Sequence, residues 1–211
     1  MPDDKPLTVT DNLRKRASAP LDRIGAWLAR AGVHPDWITA LGLTAVGLAA
    51  IFIATGDFLT GGILLLLSLP LDALDGAVAR AAQRQGSFGM LLDSTLDRYA
   101  DGFIFAAFGY HFARHGRLDM LMLALFALIG SYLVSYVRAR ADDSKIGIGV
   151  TVGWFSRLER VAVILVMTLA AGVLQSAQPL EIGLVILAVG ANLTALQRLR
   201  YVYSALKNKG E

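Results

Sequence analysis

The chain has 211 residues, of which 55% are hydrophobic and 18% charged, with a mean hydropathy of +0.54. That is too apolar for an ordinary soluble domain, and the length suits one domain of about six membrane spans rather than two domains. The net charge is only +3 and cysteine is absent, which excludes disulfides and thiolate metal sites.

Residues 1–36 read as an N-terminal juxtamembrane segment with no uninterrupted apolar stretch, so no cleavable signal peptide is expected. Within it Leu13, Ala17, Leu21, Ile24, Leu28 and Ala31 recur close to a 3.6-residue period, while Arg14, Lys15, Arg16, Arg23 and Arg30 fall largely elsewhere. This pattern predicts a basic amphipathic helix at the membrane interface, broken or restarted near Pro20 and ended by Gly32. Asp36 is the expected N-cap of the first span.

Residues 37–211 read as a membrane domain. Spans are predicted over about 37–56, 60–81, 88–113, 118–140, 155–174 and 180–205, each near or above the ~20 residues a bilayer crossing needs. Gly56-Asp57, His115-Gly116 and Gln178-Pro179 mark short outer turns, and Pro70 is positioned to kink the second span. The connection at about 141–154, with Gly147, Gly149 and Gly153, is the candidate mobile segment. The expected fold class is an all-α integral membrane protein of six transmembrane helices preceded by an amphipathic interfacial helix.

Seventeen of the 20 Lys and Arg residues fall on one side of this arrangement. They include Lys5, Arg80, Arg84, Arg140, Lys145, Arg200, Lys207 and Lys209, whereas Arg114 and Arg117 lie on the other side and Arg98 within a span. The positive-inside rule puts both termini, and the ends of the spans that join them, in the cytoplasm of a cell that carries the protein in its inner membrane. The basic clusters flank apolar spans and have no interleaved aromatics, so no nucleic-acid partner is expected.

The chemistry concentrates where the second span ends and the third begins. The segment reads Asp72-x2-Asp75-Gly76-x2-Ala79-Arg80-x8-Gly89-x3-Asp93-x3-Asp97. A carboxylate in hydrocarbon costs about 2.5–3.5 kcal/mol on insertion scales, so four at membrane depth need compensation. Hard divalent cations, which take oxygen ligands, supply it. Residues three or four apart share a helix face, so Asp72 and Asp75 make one two-oxygen arm and Asp93 and Asp97 a second, able to close around one or two ions. Asp97 is read as ligand, base or both. Asp101 continues the same face one turn deeper, where it can bond a neighbouring helix. His111 and His115, near the opposite end of the span, are kept out of the site.

All eight fixed positions of this segment match the signature of the CDP-alcohol phosphatidyltransferase family, which the chain resembles over most of residues 30–205. The resemblance implies a six-helix membrane architecture, a homodimer, and a pair of Mg²⁺ or Mn²⁺ ions on Asp72, Asp75, Asp93 and Asp97. It implies metal-dependent attack of an alcohol on the β-phosphate of CDP-diacylglycerol with release of CMP, Asp97 being the base for the incoming hydroxyl. Gly76, Ala79 and Gly89 would make room for cytidine and ribose, and Arg80 would pair with a phosphate or an aspartate. Pro35-Asp36-Trp37-Ile38-Thr39 resembles the family's Pro-x-x-x-Thr element, which borders the nucleotide pocket and brings in Asp36 and Thr39.

The acceptor alcohol is read from cations outside that signature. Ser135-Tyr136-Val137-Arg138-Ala139-Arg140, Ser156-Arg157-Leu158-Glu159-Arg160 and Gln197-Arg198 resemble the acceptor elements of the phosphatidylinositol phosphate synthase branch. This implies that Ser135, Arg138, Arg157 or Arg160, and Arg198 hold the phosphate of inositol 1-phosphate. Several cations around one pocket suit a dianionic phosphate and not a neutral polyol. Arg138 stands where that branch has lysine, and Ser156 and Leu158 where it has Glu and Pro, which keeps glycerol 3-phosphate as the alternative acceptor. A divalent-cation transporter using the four aspartates is the alternative of another class, although it would favour inverted repeats and carboxylates near the midplane.

Overall fold

The computed structural model describes residues 9–83, 86–143, 146–150 and 152–209, with side chains from Pro20 to Asn208 of these. Lys5, Arg84 and Lys145, and the side chains of Leu13 to Ala17 in the amphipathic pattern, lie outside the described residues. The described residues form seven α-helices and no strand: α1 (Val9–Arg30), α2 (Pro35–Thr55), α3 (Phe58–Ala81), α4 (Ser87–Arg114), α5 (Leu118–Ala141), α6 (Arg157–Leu174) and α7 (Gln178–Lys209). Four of them, α2, α3, α5 and α7, are long and apolar enough to cross a membrane. The other two predicted spans are interrupted by charge: Asp93, Asp97, Arg98 and Asp101 in the first half of α4, and Arg157, Glu159 and Arg160 at the start of α6.

The turns come from local backbone chemistry. Gly56 (φ +95°) and Gly116 (φ +72°) adopt the left-handed conformation that a glycine takes without penalty. The next residue then closes back on the helix it leaves, Asp57 N–H to Phe52 O and Arg117 N–H to Phe112 O, both 2.9 Å. The end of α6 makes the same closure without glycine. Gln175 takes φ +51°, Ser176 N–H reaches Ala171 O at 3.1 Å, and Gln175 Nε2 bonds Gly172 O at 3.0 Å. The turn between α6 and α7 is therefore Gln175–Ala177, and Gln178-Pro179, expected as the turn, instead opens α7, where a missing N–H goes unneeded.

Pro20 does not break α1, which runs through it; losing one backbone donor leaves the rest of the ladder in place. Asp36 lies inside the first turn of α2 rather than before it. Its negative charge suits the first turn of a helix, and its carboxylate stands 3.3 Å from His34 Nδ1.

The chain divides into two compact units. The first comprises Met1–Thr44 and Leu67–Leu96. In it α1 lies against the end of α3 so closely that a Cβ on Gly25 would stand 2.8 Å from the Ala77 backbone. Asp22 Oδ1 accepts from Arg80 Nη2 at 2.9 Å, joining the same two helices.

The second unit comprises Ala45–Leu66 and Asp97–Glu211. Its core gathers Ile53 and Phe58, then Phe105, Phe108 and Phe112 of α4, Met167 of α6, and Leu180, Leu184 and Leu187 of α7. Small residues set the spacing, as expected where apolar surface is shared with lipid. A Cβ on Gly172 would meet the Leu59 backbone at 2.5 Å, and one on Gly130 of α5 would meet Asn192 of α7 at 2.6 Å. Met122, Leu125, Phe126, Ile129, Leu133 and Tyr136 of α5 are exposed, an outward apolar stripe that marks a membrane protein. Just before α5 Arg117 is clamped between Asp119 and Glu181, at 2.9 and 2.6 Å, which holds its guanidinium above its ordinary pKa. The connection between α5 and α6, expected as a mobile segment, has a small core of its own: Ile148 and Val150 are buried with Ala141 and Val202.

Candidate active site

The end of α3 and the start of α4 supply the aspartates. Asp72 and Asp93, both in the first unit, bring carboxylate oxygens within 4.8 Å of each other. Asp97 follows Asp93 by one turn along the unbroken α4. Asp75 has hydrogen-bond partners of its own. It is 8% exposed, its Oδ2 accepts from Thr39 Oγ1 at 2.7 Å, and its Oδ1 accepts the Gly76 N–H. Carboxylate oxygens as close as those of Asp72 and Asp93 are a donor set for hard divalent cations and not for soft ones.

Around the aspartates, a Cβ on Gly76 would stand 3.4 Å from Arg80 Nη1, whereas one on Gly89 would meet nothing within 4 Å. Arg80 is half exposed and bound to Asp22, an α1 partner that no motif in the sequence singles out. Ala79 is half-buried beside it on α3. Asp36 and Thr39 both lie in the first turns of α2, and of the two Thr39 reaches the aspartates.

In the second unit Asp97, 9% exposed, forms an ion pair with Arg157 and stands 3.6 Å from Arg98 Nη2. Arg157 keeps 41% of its side chain exposed. Arg160, one turn on in α6, is 2% exposed and 3.6 Å from Asp101. The sequence leaves these two arginines as alternatives, and they differ sharply in access.

Arg198 is 5% exposed, with Nε donating to Val152 O at 3.0 Å and Nη1 to Val134 O at 2.7 Å. Ser135 Oγ donates to Ser131 O at 3.4 Å. Arg138 is exposed and 3.8 Å from Asp142. Asp101, outside the eight-position signature, bonds two other helices through Ser131 and Arg160. His111 is buried, edge-on to Phe58 at 4.8 Å.

The profile of the CDP-alcohol phosphatidyltransferase family matches residues 32–196. The archaetidylinositol phosphate synthase of Methanothermobacter thermautotrophicus is 39% identical over 178 residues, 84% of this chain and 87% of that protein. The phosphatidylinositol phosphate synthase of Streptomyces avermitilis is 38% identical over 198 residues, 89% of this chain and 81% of that protein. Among solved structures, the phosphatidylinositol phosphate synthase of Mycobacterium tuberculosis with CDP-DAG bound superposes with a TM-score of 0.78 at 32% identity, covering 87% of this chain and 93% of that one. The same enzyme in complex with manganese and citrate gives 0.79 at 31% identity, covering 87% and 88%.

Proposed function

The chain belongs to the CDP-alcohol phosphatidyltransferase family, and on that premise we propose that it transfers a phosphatidyl group from CDP-diacylglycerol to inositol 1-phosphate. Family membership makes it an enzyme of phosphatidyl transfer, which displaces the cation-transporter alternative. The reaction forms a bond from the acceptor hydroxyl oxygen to the β-phosphorus and breaks the bond between that phosphorus and the bridging oxygen, which leaves with CMP. Asp97 takes the hydroxyl proton.

The observation that carries this reading is the closeness of Asp72 and Asp93. Like charges that close repel, and a divalent cation between them offsets the repulsion. Divalent metal is therefore assigned to Asp72 and Asp93, with Asp75 and Asp97 completing the set through the family signature; Mg²⁺ or Mn²⁺, as a pair of ions, suits the donors. The manganese-bound M. tuberculosis relative supports this assignment. The chemistry such ions supply is neutralisation of the pyrophosphate and of the charge that develops on transfer. Gly89 leaves open space for the nucleotide, and Gly76, Ala79, Arg80, Asp36 and Thr39 complete that part of the site.

For the acceptor phosphate, Arg157 is the accessible arginine of its pair and is assigned the contact, with Ser135, Arg138 and Arg198. The names of the two relatives support inositol phosphate over glycerol 3-phosphate. We read α2 to α7 as six spans, α1 as interfacial, both termini as cytoplasmic in the cell membrane, and the enzyme as a homodimer.

The test is CMP release by the purified protein in CDP-diacylglycerol vesicles, with inositol 1-phosphate, glycerol 3-phosphate and free inositol compared at saturating Mg²⁺ or Mn²⁺. Inositol 1-phosphate should be preferred, and Asp72→Asn and Asp93→Asn should each abolish release. Preference for glycerol 3-phosphate would replace the acceptor. Near wild-type turnover in either variant at low metal would remove the shared metal site.

A further inference from the structure

Arg160 is 2% exposed and is the largest fully buried side chain among the described residues. Its Nη2 stands 3.6 Å from Asp101 Oδ2, and its Nη1 donates to Phe155 O at 3.3 Å. Asp101, itself 9% exposed, accepts from Ser131 Oγ at 2.6 Å. One carboxylate thus ties α4, α5 and α6 together.

The pairing is repeated one turn away. Asp97 and Asp101 are four apart on α4, and Arg157 and Arg160 are three apart on α6, so each pair shares a helix face. Arg157 meets Asp97 and Arg160 meets Asp101, two rungs of one ladder between the same two helices. Sliding α6 along α4 by a turn would uncouple both. The base of the ladder is fixed as well: Phe155, whose carbonyl Arg160 holds, donates its N–H to Thr194 Oγ1 at 2.9 Å. Its ring lies where a Cβ on Gly190 would stand 2.8 Å away, so the start of α6 is set against α7.

A buried ion pair contributes little net stability compared with apolar residues of the same volume, so stability is a poor reason for a charged rung here. We propose that Asp101 and Arg160, with Ser131, are positioning residues that hold α6 in the register at which Arg157 reaches both Asp97 and the acceptor phosphate. The inference rests on the acceptor reading above. It assigns Arg160 a role without substrate contact and gives Asp101, outside the family signature, a part in acceptor use.

The test replaces both charges at once, Asp101→Leu with Arg160→Met, so that no uncompensated charge stays buried. Thermal unfolding and the KM for each substrate are then measured beside Arg157→Gln. Expected are a near wild-type Tm, an unchanged KM for CDP-diacylglycerol, and an acceptor KM raised at least about fivefold, part of the roughly tenfold or more that losing a charged hydrogen bond gives. An unchanged acceptor KM in the paired variant, with a raised one in Arg157→Gln, overturns the positioning role alone. An unchanged acceptor KM in Arg157→Gln instead overturns the acceptor assignment beneath it. Equal rises for both substrates would make the ladder merely structural and also overturn the proposal. If the paired variant does not fold, Ser131→Ala, which removes one hydrogen bond to Asp101, is read by the same criteria.

Discussion

Thr39 Oγ1 donates to Asp75 Oδ2 at 2.7 Å, joining the first turns of α2 to the last turns of α3. The hydroxyl also lies 3.2 Å from Pro35 O, but it has one hydrogen, and the shorter charge-assisted bond takes it. A threonine placed by sequence at the nucleotide border is thus, in the fold, what orients Asp75. Such partners of metal-ligating groups alter metal affinity by about 10- to 100-fold when removed. Thr39→Val should therefore raise the Mn²⁺ concentration needed for half-maximal CMP release by at least about tenfold, while Thr39→Ser, which keeps the hydroxyl, should restore most of it. An unchanged metal requirement in Thr39→Val would separate Asp75 from the metal site.

Asp97 is flanked by two arginines, Arg157 and Arg98, and follows Asp93 on one helix. If it accepts the hydroxyl proton, Asp97→Asn should lower turnover by at least ~10²-fold, the lower range for a general base, and leave CDP-diacylglycerol binding largely intact. Titration of the variant with the CDP-lipid in detergent checks this. Joint loss of nucleotide binding and turnover would make Asp97 chiefly a metal ligand.

The helices are legible because long apolar runs and glycine stops are local signals. Each predicted span agrees with an observed helix to within a few residues at its ends, and Gly32, Gly56 and Gly116 all take left-handed backbone where the sequence marks a stop. The α6 stop is misplaced because Gln175 makes the left-handed turn without glycine, supported by its own amide on Gly172 O. The spacing of the aspartates carries their i to i+3 and i+4 helical geometry directly, but not the bond that Asp75 makes to Thr39. Pairings across distant sequence are not legible: Arg80 with Asp22, Thr39 with Asp75 and Arg160 with Asp101 depend on how helices pack, which no local pattern encodes. The glycines of the loop before α6 suggest mobility, yet Gly153 is there because a Cβ would fall 2.5 Å from the Thr194 side chain.

Glycines of different surroundings should respond oppositely. At Gly172 a Cβ would meet Leu59 backbone atoms at 2.5 Å, which cannot rotate away, so Gly172→Ala should destabilise by about 1–3 kcal/mol, as overpacking does. At Gly89 the added methyl meets nothing within 4 Å, and alanine favours a helix by about 0.8–1 kcal/mol over glycine. Gly89→Ala should therefore keep or raise Tm while raising the KM for CDP-diacylglycerol, if that open space receives the nucleotide. Thermal unfolding in detergent and substrate kinetics on the two variants check both halves, and an unchanged CDP-lipid KM in Gly89→Ala would remove Gly89 from the nucleotide site.

Arg198 links α7 to two places that the acceptor reading needs. Its Nη1 donates to Val134 O, one residue before Ser135, and its Nε to Val152 O in the connection before α6. Two carbonyls leave part of the guanidinium's five donors for a phosphate, although only 5% of the residue is exposed. A hydrogen bond to a charged group contributes roughly 1.5–3 kcal/mol, so Arg198→Gln should raise the acceptor KM about tenfold or more and spare that of CDP-diacylglycerol. The carbonyl bonds predict a fall in Tm whichever role the side chain has, so stability alone decides nothing here. The contrast between substrates does: with both varied, an acceptor KM that stays unchanged while Tm falls would make Arg198 a clamp on the α5–α6 connection and would remove it from the phosphate site.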